Sequence, residues 1–169
     1  MTIQAFEIYT ANGYEGDLVD SGPRVVQTGV LTSASVGFGK AIKRDSSVER
    51  GVAIGSDEIS TSSTTNVYAL TQREYNHEAG TRPSTGNDTE YLITESVSIM
   101  REGFLYIKLV DHAATAEEAL VFVEATGLCS GGAAAAGTVA GESVALNVFA
   151  EEAGVAGDII KCRIDIHRA

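Results

Sequence analysis

The stretch 101–126, REGFLYIKLVDHAATAEEALVFVEAT, contains two strand-like runs separated by a short polar crossing. Within its first run, aliphatic side chains alternate with aromatic or charged ones. A period of two is that of a strand with one buried face, so we expect the aliphatic face to pack on a core and the other face to meet a partner or water. The aliphatic set is Leu105, Ile107 and Leu109, and the other set is Phe104, Tyr106 and Lys108.

The composition favours one all-β domain. The chain has 169 residues with 18 glycines, 2 prolines and no tryptophan. This length can bury a core without metals or disulfides. Abundant glycine with Val, Ile, Thr and Ser favours many short strands joined by turns. We therefore predict a single-domain, jelly-roll-like β-sandwich or barrel.

The charge and the apolar pattern exclude several partners. The formal net charge is −11, whereas phosphate backbones are bound by Lys and Arg, so nucleic acid is not expected as a partner. The N-terminal region lacks the pattern of a secretory signal, and no apolar run has the length of a membrane span. We expect a soluble protein made in the cytoplasm, with no membrane partner.

The predicted strands number about ten, at the spacing typical of sandwiches and barrels. In the last of them, Ile160, Cys162, Ile164 and Ile166 share one face. Its expected partner is the strand 143–150, joined through a turn at 151–157 whose glycines can adopt positive φ. The predicted strands are 2–9, 24–31, 37–43, 50–54, 66–71, 90–100, 103–110, 120–124, 143–150 and 158–167.

Four segments connect these predicted strands in ways that the alternation does not define. Thr115 and Glu118 have the spacing of a capping box, but the VFV that follows favours a turn and then a strand. The polar segments 56–65 and 75–88 are predicted loops, and the second is long enough to be functional. The run GGAAAAG at 131–137 is either a flexible tip or a close-packed crossing.

No set of residues in the sequence has the spacing of a catalytic, metal or cofactor site. His77, His112 and His167 lie in separate segments, and no H-x-x-x-H pattern occurs. Cys129 and Cys162 form no C-x-x-C pair, and burial on the apolar face is expected for Cys162. The acidic pairs at 57–58 and 151–152 lack the pattern of an EF-hand. The sequence therefore predicts no enzyme, no cofactor and no metal.

The first 14 residues are predicted to form an N-terminal arm, and residues 15–169 the domain. The arm is strand-like and precedes a glycine turn, so it has few expected partners within the domain. It can add to the sheet edge of a second copy of the chain. The alternative is an ordinary edge strand of its own sheet.

Several segments, in their order along the chain, resemble the bacteriophage capsid cement, or head-decoration, family. Two departures are the AEEA at 116–119, where the family commonly has a glycine–aspartate pair, and a longer loop at 71–90. The segments that carry the resemblance are GYEGDLVDSG at 13–22, GFGKA at 37–41, VAIG at 52–55, REG at 101–103, and the closing strands split by the turn 150–157.

The resemblance implies a structural protein on the exterior of the virion capsid. Such proteins bind an icosahedral head as dimers or trimers and bridge neighbouring copies of the major capsid protein. The alternative is a glycan-binding or tail-associated β-module of a phage particle, but a lectin normally presents tryptophan or clustered aromatic rings. The expected contact residues are Ile3, Phe6, Ile8 and Tyr9 of the arm and Tyr75, His77 and Arg82 of the loop 75–88.

Overall fold

A computed structural model describes residues 13–19, 22–54, 68–73, 90–123, 126–131 and 142–166. All regular structure in these ranges is β, which confirms the predicted class, and they contain no helix that could span a membrane. The strands are β1 Val25–Leu31, β2 Val36–Gly37, β3 Ala41–Asp45, β4 Gly51–Ile54, β5 Ala69–Thr71, β6 Glu90–Tyr91, β7 Ser96–Lys108, β8 Ala119–Val123, β9 Cys129–Ser130, β10 Glu142–Ala150 and β11 Ile159–Asp165.

The long strand β7, with 13 residues, is shared by two circuits of strands. The first runs β1-β4-β3-β5-β7 and closes because β1 also pairs with β7. It is a small closed barrel. The second runs β7-β11-β10-β8-β9, and a bridge from Leu109 to Cys129 brings β9 back to β7. The strands β2 and β6 pair separately.

Each circuit encloses its own hydrophobic core. In the first core, Phe38 and Tyr91 meet edge to face with ring centroids 5.3 Å apart. The buried residues of the first core are Leu31, Val36, Phe38, Ile42, Val52, Ala69, Tyr91, Val97 and Ile99. Those of the second include Met100, Leu105, Ile107, Leu109, Leu120, Phe122, Cys129, Val148, Ile160, Cys162 and Ile164.

A β-bulge in β7 lets one strand serve both cores. Val26 of β1 is opposite Met100, but Val25 is opposite Glu102, so β7 has one extra residue at this point. Next to it, Gly103 has φ 130, a conformation that residues with a Cβ rarely adopt. The extra residue shifts the alternation of β7 by one position. As a result, Ile99 lies in the first core, whereas Met100 and the odd-numbered residues from Leu105 onward lie in the second.

The segment 13–19 runs antiparallel along the second half of β7. The amide of Gly16 donates to the carbonyl of Tyr106 at 2.7 Å, and the amide of Tyr106 donates to the carbonyl of Asp17 at 3.0 Å. Gly13 lies against the ring of Tyr106, since a Cβ on this glycine would be 2.4 Å from Cδ2. The chain therefore enters the domain beside Tyr106, and residues 1–12 precede this point.

Two predicted strands are each divided in the structure. The prediction 37–43 is wrong at Gly39, which has φ 66 and separates β2 from β3. The prediction 90–100 is wrong between β6 and β7. There the amide of Leu92 donates to Glu95 Oε2 at 2.7 Å, and Thr94 has φ 71. Both breaks depend on positive φ, which hydrophobic alternation does not reveal.

Other local predictions are confirmed. Antiparallel pairing of β10 with β11 gives the closing hairpin. Glu118 Oε2 accepts hydrogen bonds from the amide and hydroxyl of Thr115, as in a capping box, but a turn and then β8 follow, with no helix. Of the run 131–137, Gly131 alone is among the described residues; it packs closely, since a Cβ there would be 2.1 Å from the carbonyl oxygen of Ala113, and the rest of the run lies outside them.

We predict that Gly103→Ala destabilises the protein by on the order of 1–3 kcal/mol, because alanine would be strained at this φ. Its Cβ would also lie 3.1 Å from Cβ of Arg24. Chemical denaturation measures the change. The matched control is Gly22→Ala, where a Cβ meets no atom within 4 Å. Equal stability of the two variants would contradict the role given to the bulge.

Candidate interaction surface

All the contact residues predicted from the sequence lie outside the described residues. The same is true of the predicted strand 2–9, of the loops 56–65 and 75–88, and of His167. The predicted contact residues concerned are Ile3, Phe6, Ile8, Tyr9, Tyr75, His77 and Arg82.

Both cysteines are core residues. Cys129 and Cys162 are free and buried, as was expected for Cys162. Burial in the apolar core raises the pKa of both thiols, so they stay protonated and are poor nucleophiles. Within the described ranges, no three potential metal ligands lie close enough together to hold an ion.

An open cleft lies on the side of the first barrel where β1 and β4 meet. These strands pair in parallel only at Val30–Gly51 and Leu31–Val52. Before Val30, β1 faces the turn 46–50 and no longer pairs with β4, which leaves the cleft between them. The residues that line the cleft include Gln27, Thr28 and Gly29 of β1, Arg44 of β3, Val48, Glu49 and Arg50 of the turn 46–50, and also Tyr68 and Ile99.

The backbone of β1 has an unpaired edge in this cleft. Val30 donates its amide to the carbonyl of Arg50 at 2.9 Å. Because edges alternate along a strand, Val26 and Thr28 direct their backbone groups to the same side as Val30. No described strand pairs with them there. The side chain of Val26 is also exposed, so this edge presents both polar backbone and apolar surface.

The turn opposite this edge is held by one carboxylate. Asp45 accepts hydrogen bonds from the hydroxyl of Ser47 at 2.6 Å, the amide of Ser47 at 2.9 Å and the hydroxyl of Thr32 at 2.5 Å. These bonds, led by the one from the Ser47 hydroxyl, lower the pKa of Asp45 from 3.8 to about 2. The turn is thereby tied to the end of β1.

Arginines surround the cleft. Arg44 and Arg50 line it and form no ion pair with any described residue. The guanidinium of Arg101 lies 4.9 Å from the ring centroid of the lining residue Tyr68. Arg101 is only 7% exposed, and its Nε has no hydrogen-bond partner among the described residues. Glu49 is the one carboxylate among the described lining residues.

Comparison with known proteins identifies the family. The sequence matches, over residues 2–165, the family model described as structural cement protein (E217 gp24/Pam3 gp6). The chain belongs to this phage cement family. Its fold is similar to that of a chain in the structure titled "The capsid of Myoviridae Phage XM1", with a TM-score of 0.65, 15% identity and coverage of 95% of each chain. No curated protein matches the sequence.

Membership of the cement family confirms the resemblance found in the sequence. The family is a structural one, so the protein is a structural component of the phage capsid that associates with capsid proteins and is located in the virion. This assignment argues against an enzyme. The similarity to the chain from the phage XM1 capsid structure supports the fold alone. An identity of 15% is too low to transfer roles between residues.

We predict that Asp45 titrates with a midpoint near pH 2 in the folded protein. Because the folded-state pKa is depressed, the stabilisation from this carboxylate is present above the ordinary pKa of 3.8 and is lost as the pH falls towards 2. Carbon-detected NMR measures the midpoint directly. Thr32→Val should raise this midpoint, because it removes one of the hydrogen bonds to Asp45. The control Thr28→Val, in β1, should leave the midpoint unchanged. A wild-type midpoint near 3.8 would contradict the hydrogen-bonded turn.

Proposed function

We propose that this cement protein binds the outer surface of an icosahedral phage head and joins neighbouring copies of the major capsid protein. The observation that carries the proposal is the family match over residues 2–165. The described fold suits this task, since the two strand circuits share β7 and each encloses a hydrophobic core. The protein would be made in the host cytoplasm and added to the head from outside.

Attachment through several weak contacts fits the charge of the protein. A net charge of −11 keeps the free protein soluble. One copy then needs only modest affinity, because an oligomer that touches several capsid subunits gains binding strength from multivalency. We propose a dimer or a trimer for this reason.

The arm is the proposed link between copies. The segment 13–19 is bonded to β7 at Tyr106, so the preceding residues start from a fixed point on the domain. We propose that residues 1–14 act as the arm, with Ile3, Phe6, Ile8 and Tyr9 contacting a second copy or the capsid. Tyr75, His77 and Arg82 are proposed as additional capsid contacts.

A binding and stability assay tests the proposed function. Purified protein is mixed with undecorated heads, and the copies retained after sedimentation are counted. We expect saturable retention on heads and a higher melting temperature of the decorated heads, because a bridged lattice resists separation of its subunits. Retention on isolated tails or on glycan, with none on heads, would reject the proposal in favour of the glycan-binding or tail-associated alternative.

We further predict that deletion of residues 1–12 leaves a folded domain but weakens oligomerisation or head attachment. The described residues from Gly13 onward contain both cores, so folding should persist. Circular dichroism checks the fold, native mass spectrometry the oligomer, and sedimentation with heads the attachment. If mass and retention both equal those of the full chain, the arm is an ordinary edge strand.

A further inference from the structure

We propose that the cleft between β1 and the turn 46–50 binds an extended acidic segment of the major capsid protein. The segment would pair with the unpaired edge of β1 and place its carboxylates beside the cleft arginines. This inference rests on the proposed function and names the chemistry of the capsid contact. It assigns a role to Arg44, Arg50 and Arg101, which the predicted contact residues do not include.

The geometry of the β1 edge favours the addition of a strand. Val26 and Thr28 direct backbone N–H and C=O groups into the cleft, and no described strand pairs with them. An extended peptide can satisfy such groups by adding one more strand to the sheet. The edge ends where Val30 bonds to the carbonyl of Arg50. An added strand could therefore pair with β1 only before Val30, because β4 pairs with β1 from Val30 onward.

The charge of the cleft favours an acidic occupant. The chain is strongly acidic, yet Arg44 and Arg50 line this cleft and make no ion pair with any described residue. Cations that lack an internal partner are available to an external carboxylate. Glu49 is the only described lining residue of opposite sign, so the lining residues carry two positive charges against one negative. The cleft therefore has an excess of positive charge.

A buried cation also contacts one of the residues that line the cleft. Arg101 is 7% exposed and rests on the ring of Tyr68, which lines the cleft. Its Nε has no hydrogen-bond partner in the described part of the chain. A buried N–H group without a hydrogen-bond acceptor is costly. A carboxylate bound beside the edge of the Tyr68 ring would add an opposite charge in the neighbourhood of this guanidinium.

The same features favour the capsid protein over a second copy of this chain as the occupant. The arm, MTIQAFEIYTAN, has one acidic residue, Glu7, and alternating apolar side chains. Such a strand matches an apolar groove better than a cleft with several arginines. A segment with carboxylates at alternate positions places them on one side of the added strand, where they face the arginines.

Charge-reversal variants test the proposal. Arg44→Glu and Arg50→Glu are compared with wild type for retention on undecorated heads over a range of salt concentrations. We expect each to weaken retention by about tenfold at low salt, with a smaller salt dependence, because a favourable charge contact is replaced by repulsion. The matched control is Lys108→Glu, which makes the same change of charge at an exposed lysine of β7 that has no ion pair with a described residue. It should bind as wild type does.

A photo-crosslinking amino acid at position 28 identifies the occupant. Thr28 is exposed and lines the cleft, so we expect conjugates with an acidic peptide of the major capsid protein. Crosslinks to residues 1–12 of the same chain or of a second copy would overturn the proposal. Equal retention of both arginine variants and wild type would also overturn it and leave the cement role intact. Failure of wild type to bind heads would reject the proposed function itself, and this inference with it.

Discussion

The fold depends on the bulge in β7 next to Gly103. A strand has two faces, and a strand shared by two barrels must present apolar side chains to a different core in each half. One extra residue of β7, between the partners of Val25 and Val26, makes this change of face possible. The positive φ of Gly103 accommodates this bulge. With regular alternation, Leu105 would face the same way as Ile99 and leave the second core. The two cores therefore require the bulge.

Further contacts hold the two barrels and the entering chain together. The carbonyl of Gly127 accepts a hydrogen bond from the amide of Ala41 at 2.9 Å, and a Cβ on Gly127 would be 2.3 Å from the carbonyl oxygen of Ala41. Lys40 forms an ion pair with Glu15, and Arg73 lies over the ring of Tyr14. These contacts pack the segment 13–19 and the residues beside β3 and β5 against one another.

The sequence predicted the local patterns better than the long-range ones. The faces of β11 and of the second half of β7 were correct, because alternation alone defines them. The divisions at Gly39 and Thr94 were missed because they depend on backbone conformation. The parallel pairing of β1 with β4 and the resulting cleft were missed because distant segments form them. Arg44, Arg50 and Arg101 gave no signal in the sequence beyond their charge.

A cryo-electron-microscopy reconstruction of decorated heads tests the central claim, that this protein joins capsid subunits from outside. A protein that touches more than one capsid subunit at once gains binding strength from multivalency. The account predicts that each oligomer lies on the outer surface and contacts at least two neighbouring major capsid proteins. A position inside the shell, or contact with a single capsid subunit per oligomer, would contradict it.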